Sequence, residues 1–206
     1  MVKNQNGPQV GGNSTAKISR KGRRASGAAA IAECGLFAAL MTAAAYIRIP
    51  FPFVPLTFQT AVCILCGLLL GAKKGAVSMC AYALAGLAGL PVFASGGGLS
   101  YVLMPSFGYI PGFIAAAAVA GAIAGKGENL SFKRCLAAAF AALAVNYAVG
   151  TVYFIAVWVL SGYEGLFAAV LEYNILYIPK DALLSLLAAG VARQALPAIR
   201  RSRLKK

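Results

Sequence analysis

The chain has 206 residues, enough for one domain, and 60% of them are apolar while 12% carry charge, against about 25% charged in an ordinary soluble domain. A water-soluble globule, a disordered chain and a coiled coil are excluded, and an all-α membrane protein of several passes remains. The formal net charge of +14 does not point to nucleic acid, because six of the 19 bases lie in the first 24 residues and five in the last seven, the pattern of cytoplasmic parts marked by Lys and Arg.

A spanning helix needs about 20 mostly apolar residues. Residues 1–26 are basic and rich in Gly, Asn and Ser, and are expected to form a disordered cytoplasmic tail. Residues 27–47 are apolar apart from Glu33 and give a first span. Pro50, Pro52 and Pro55 cannot sit in a helix interior, so the second span is expected at about 56–71, followed by a short loop at Ala72 to Lys74. Residues 75–125 hold no charge, too long for one crossing. The glycine cluster at 95–98 and Met104-Pro105-Ser106 break that run into spans at about 76–93 and 107–125. A loop over Lys126 to about Phe132 follows, then a fifth span within 135–163. The charge-free run 182–192 is too short alone, so the sixth helix must begin near Ile178 and take Lys180 and Asp181 into its first turn. The six-helix domain then covers 27–196, and 197–206 is a second basic tail.

Six spans put both termini on one side. With the termini in the cytoplasm, 17 of the 19 bases fall inside, and Arg48 and Lys180 fall outside with Glu164 and Glu172. A competing reading makes the first span a cleaved signal peptide ending at Ala43-Ala44-Ala45. The length of its apolar run and the presence of Glu33 disfavour it.

Five Cys and no His leave little catalytic chemistry. Cys63 and Cys66 form a CxxC inside an apolar run and read as packing residues. Gly121 to Lys126 lacks the spacing and the Ser or Thr of a phosphate-binding loop, and no paired carboxylates stand out. The sequence therefore implies no enzyme, no cofactor and no metal site. GxxxG pairs recur at Gly67/Gly71, Gly71/Gly75, Gly108/Gly112 and Gly121/Gly125, with AxxxA pairs at Ala28/Ala32 and Ala39/Ala43, and most are expected to pack helices internally. Elaborate loops at 48–55, 95–108 and 161–177 all fall on the outer side, which implies a binding site open to that face. Asp181 has two readings. It is an intramembrane carboxylate with a function, or an acid on the positive end of a helix begun by Pro179. Glu33 reads as a partner of the basic tail.

The ordered motifs PFPFVPLTFQT (50–60), Gly67 to Gly75, Tyr82, GLAGLPVF (86–93), PSFGYIPGF (105–113), YAVGT (147–151) and Ile178-Pro-Lys-Asp181 closely resemble the BioY family over residues 28–195. Those are the biotin-binding S components of energy-coupling factor transporters. The resemblance implies a cell-membrane subunit that captures biotin from outside. It also implies partners: a transmembrane coupling protein and two ATPase subunits, which would supply the engine this chain lacks. Docking on the coupling protein maps to Ala39/Ala43 or Ala28/Ala32. The family's last helix begins Pro-Gly-Asp-x-x-Lys. Pro179 and Asp181 fit it, while Lys180 replaces the Gly and Leu184 the Lys. Asp181 is then expected to accept from the ureido N–H groups of biotin, with Lys180 or Arg48 near its carboxylate. Asn146, Tyr82, Tyr109, Tyr147 and Gln59 are the further candidates for the pocket, although each Tyr also reads as a packing or interface residue, and Gln59 and Thr57 as caps of the second helix. Rival readings keep the architecture with another vitamin, or take a membrane protein with no small ligand.

Overall fold

A computed structural model describes residues 12–50, 52–125 and 130–204, with side chains from 27 to 199 within those ranges. The chain divides into two compact units, 1–33 and 34–206. The first helix, α1 (Gly12–Tyr46), runs through the end of one and the start of the other. The stretch from Gly12 to Ser26, expected as a disordered tail, is thus helical. From Gly12 to Tyr46 there is no proline, and its Ala, Lys and Arg residues are good helix formers. Residues 1–11 lie outside the described residues, as do the side chains with which Glu33 was expected to pair. The apolar part of α1, Gly27–Tyr46, is long enough to cross a membrane.

Within the second unit, prolines replace helix with a small hairpin. Strand β1 (Arg48–Ile49) pairs antiparallel with β2 (Leu56–Thr57), in the register Arg48↔Thr57 and Ile49↔Leu56. Helices α2 (Gln59–Leu70) and α3 (Ala72–Leu87) follow. The loop expected at Ala72 to Lys74 does not exist. Those residues form the first turn of α3, and Gly71 alone makes the joint, at φ +82°, which glycine adopts without strain. At 1.5 Å per residue α2 and α3 are about 18 and 24 Å long, short of the roughly 30 Å hydrocarbon layer. The third span also ends earlier than its apolar run, at Leu87, because Gly89 turns at φ +102° and Pro91 follows.

The glycine-rich break is compact. Phe93 and Gly96 bridge, and short 3-10 turns occupy Leu99–Leu103 and Pro105–Gly108. Next come α4 (Tyr109–Ala124) and α5 (Phe132–Leu160), the latter capped by the Ser131 hydroxyl, which accepts from the Arg134 N–H. Residues 126–129 of the expected loop between them lie outside the described residues. A short α6 (Leu166–Val170), a π-helical turn (Leu171–Ile175) and α7 (Ile178–Leu204) complete the chain. Among the described residues, four stretches are long and apolar enough to cross a membrane: Gly27–Tyr46, Pro105–Ala124, Phe132–Leu160 and Leu166–Ile199.

Two buried clusters hold this unit. The larger joins α2, α3, α4, α5 and α7 through small residues: Cys63, Cys66, Ala116, Ala117, Ala120, Cys135, Ala138, Ala142, Ala189 and Ala192 are all at most 1% exposed. Its glycines let backbones touch. A Cβ on Gly67 would lie 2.4 Å from the Ala117 carbonyl oxygen, and one on Gly121 would lie 2.1 Å from the Ala72 nitrogen. Of the expected GxxxG pairs at 67–75, Gly67 and Gly75 pack α2 and α3 on each other and on α4, while Gly71 is the joint and a Cβ there would meet nothing within 4 Å. The smaller cluster is aromatic. Phe53 of the hairpin lies 4.7 Å from Trp158, 5.4 Å from Tyr163 and 5.9 Å from Tyr173, ring centre to ring centre, with Phe154 and Tyr177 beneath.

Candidate functional site

The hairpin, the glycine-rich break and the adjoining ends of α2, α4, α5 and α7 surround a cavity of about 520 Å³, its open mouth included. Apolar walls come from Val54, Pro55, Ile110 and Phe113, and polar groups converge on them from Gln59, Tyr109, Asn146, Tyr147, Lys180 and Asp181.

Asp181 carries the charge. Ile178-Pro179 starts α7, Asp181 stands in its first turn, and its N–H donates to the Tyr177 carbonyl at 3.0 Å. The residue is 4% exposed. A buried carboxylate persists only if it is paired and hydrogen-bonded, and both conditions are met. The Tyr147 hydroxyl donates to Oδ2 at 2.7 Å, and the Lys180 ammonium lies 2.7 Å from Oδ1. Oδ1 is buried and, among the described residues, faces the Lys180 ammonium. Lys180 also donates to the Thr57 carbonyl at 2.5 Å and so ties α7 to the hairpin.

Counting protons around Asp181 defines what this end of the cavity offers. A tyrosine has one O–H to give. Tyr147 spends its proton on Asp181, Tyr109 on Asn174 Oδ1 at 3.4 Å, and Tyr177 on the Val54 carbonyl. Their oxygens and the carboxylate then present lone pairs, and Lys180 presents the positive charge. The arrangement suits a ligand that presents N–H donors to this end of the cavity.

Gln59 opens α2, but not as a cap. Phe58 holds the N-cap position without a side-chain bond, and Thr57 donates to Gln59 Oε1 at 3.2 Å instead. Asn146, at 2% exposure on α5, turns its Oδ1 toward Gly112, where a Cβ would lie only 2.4 Å away, and that oxygen has no hydrogen-bond partner.

Of the six residues expected at the pocket, Asp181, Asn146, Tyr109, Tyr147 and Gln59 line the cavity and Tyr82 does not. Tyr82 is buried behind Gln59, because its ring packs on Phe93 with centres 5.5 Å apart and its hydroxyl points to Gln59 and the Val92 carbonyl. Arg48 is likewise outside the lining. Its guanidinium donates to the Ala94 carbonyl and lies 3.4 Å from Ser95 Oγ. Lining residues that sequence reasoning did not name as ligand contacts include Thr60, Tyr101, Ser106, Phe113 and Tyr177. Tyr177, four residues before Asp181 at a helix start, had a signal in its spacing. The others sit in apolar or loop sequence with none. Ala28, Ala32, Ala39 and Ala43 are exposed along α1.

Comparison with known proteins places this geometry. Over 118 residues the chain is 44% identical to a probable biotin transporter BioY of Lysinibacillus sphaericus, which covers 57% of this chain and 60% of that protein. It is 41% identical over 119 residues to the biotin transporter BioY of Thermotoga maritima, covering 57% of this chain and 69% of that one. With the biotin transporter BioY of Rhizobium etli the match is longer, 31% over 172 residues, covering 77% of this chain and 88% of the relative. The fold matches a crystal structure titled as the S-component for biotin from an ECF-type ABC transporter, with a TM-score of 0.67 at 21% identity over 82% of this chain and 91% of that one. Residues 15–201 match the sequence model of the BioY family. Every helix from α2 to α6, nearly all of α1 and α7, and every residue around the cavity lie inside that match, and the chain belongs to the BioY family.

Proposed function

We propose that this chain is a membrane-embedded biotin-binding subunit for uptake, working with an ATP-driven coupling module. The observation that carries the reading is the end of the cavity at Asp181. An acceptor set made of the carboxylate and the Tyr109 and Tyr147 oxygens complements the two ureido N–H groups of biotin. The apolar walls suit its thioether ring. The named BioY relatives support the same ligand. The chain has no ATP-binding motif, so the energy comes from elsewhere: a transmembrane coupling protein and two ATPase subunits, the arrangement of energy-coupling factor systems. The exposed Ala39 and Ala43 of α1 give the small-residue face that close helix docking needs.

In the cell membrane α1 to α5 and α7 make six crossings, with both termini in the cytoplasm. The split of bases supports this orientation. The short α2 and α3 then cross as one joined pair, with the hairpin and the glycine-rich break filling the outer headgroup depth. In a cysteine-free background, a Cys at Ser100 should react with an impermeant maleimide added outside, and one at Lys73 should not. The reverse labelling would overturn the topology. The function itself is tested by titrating the purified protein with labelled biotin. Saturable binding, competed by unlabelled biotin and not by other vitamins, is expected. No binding, or tighter binding of another vitamin, would sink the reading.

A further inference from the structure

Gln59 and Tyr82 are joined by a chain of hydrogen bonds whose direction can be read. The Tyr82 hydroxyl donates to the Val92 carbonyl at 3.0 Å. A backbone carbonyl only accepts, so the single phenolic proton is committed there. The Tyr82 oxygen can then only accept, and the Gln59 atom facing it, at 2.7 Å, must be the amide nitrogen. On the other side Thr57 Oγ1 donates to Oε1 at 3.2 Å. Thr57 accepts either orientation, so Tyr82 is the neighbour that sets it. Gln59 is 4% exposed and lines the cavity, whereas Tyr82 is 1% exposed and does not.

We propose that Tyr82 is a positioning residue that fixes the polarity of the Gln59 amide toward the ligand, so that the cavity meets the N–H side near α3 and the carbonyl side near the hairpin. An unheld glutamine amide turns over at little cost and offers a ligand either order. The held one offers one order and discriminates between ligands with reversed donors and acceptors. The identity of that ligand rests on the biotin reading above, but the hold on the amide does not.

Two measurements separate these. In the ligand-free protein labelled with 15N at glutamine side chains, the Gln59 Nε2 protons should exchange slowly with water. Tyr82→Phe keeps the ring against Phe93 and removes the hydroxyl, and it should shift the Nε2–H signals and speed their exchange with water. Unchanged Gln59 amide signals in Tyr82→Phe, or fast exchange in the parent, would overturn the proposal, and neither outcome depends on biotin. The second measurement is a double-mutant cycle on biotin affinity. Tyr82→Phe and Gln59→Leu should each weaken binding roughly tenfold, the size of one lost hydrogen bond, and the double variant should be no weaker than Gln59→Leu. Losses that multiply would show Tyr82 acting without Gln59 and would overturn the proposal, since a merely structural tyrosine would still cost affinity in the leucine background. If the parent binds no biotin at all, the functional reading fails and the amide signals alone decide.

Discussion

The two buried clusters of the second unit are made of opposite materials. Between α2, α3 and α4, Gly and Ala bring backbones into contact, beside larger side chains such as Ile64, Leu68, Met79 and Phe113. Around Phe53 the packing is rings, at 4.7 to 5.9 Å between centres. Backbone contacts at Gly67, Gly75 and Gly121 cannot be relieved by a rotamer change, so they set the spacing of α2, α3 and α4. Rings touch over large faces but can slide, so the second cluster holds the hairpin over the cavity without a rigid lock. The cavity lies where the two meet, with Gln59, Asn146 and Asp181 on helices of the first and Val54 and Tyr177 from the second.

The difference can be broken at either end. The largest effect is expected from Gly121→Ala. Its Cβ would lie 2.1 Å from the Ala72 nitrogen and 2.4 Å from the Gly71 carbonyl carbon, both backbone atoms. Overpacking of this kind costs about 1–3 kcal/mol or more, so the melting temperature in detergent should drop by several degrees and the yield of folded protein should fall. A melting curve like the parent's would show that α4 can retreat from the joint.

Next is Asp181→Asn, which keeps the size and removes the charge. Losing a charge-assisted bond of roughly 1.5–3 kcal/mol weakens biotin binding by about one to two powers of ten. A helix-dipole role alone would cost about 0.3–1 kcal/mol of stability and leave affinity alone. Titration and melting on the same samples separate the two.

Phe53→Ala tests the aromatic cluster with a smaller expected effect. Each ring pair is worth about 0.5–1.5 kcal/mol, so affinity should weaken roughly fivefold, while the helix packing should melt close to the parent. Trp158 is the single tryptophan of the chain, and its emission should shift to the red as it loses the Phe53 ring. An unshifted spectrum would mean the hairpin keeps its cover by other contacts.

The smallest effect on binding is expected from enlarging Ala39 and Ala43 to Leu. Both are exposed on α1, so affinity for biotin should stay within about twofold while transport in the complete system fails. Equal loss of both would place the pair inside the unit's own packing.

What was legible in the sequence follows the same division. Helices were visible because the bilayer demands long apolar runs, and Asp181 because a charge in such a run stands out. The joint at Gly71 was not visible, since nothing in Gly-Ala-Lys-Lys distinguishes a loop from a helix restarting after one residue at positive φ. Nor was the place of Tyr82. It is expected at the pocket, but whether it faces a ligand or stands behind Gln59 depends on the Val92 carbonyl, ten residues away. The inactive reading of Gln59 as a cap failed for a related reason: the hairpin supplies Thr57 as its neighbour, and hairpin geometry comes from pairing rather than from local propensity.

The one-residue joint at Gly71 also bears on how the protein is made. A one-residue connection gives α2 and α3 no slack to separate, and a Cβ on Gly75 would lie 3.1 Å from the Gly67 Cα. In the proposed six-crossing arrangement both are shorter than the hydrocarbon layer, so they are expected to insert as one packed pair. A flexible linker of a few residues spliced in at Gly71 would uncouple that step and show up as a lower yield of inserted protein during biosynthesis.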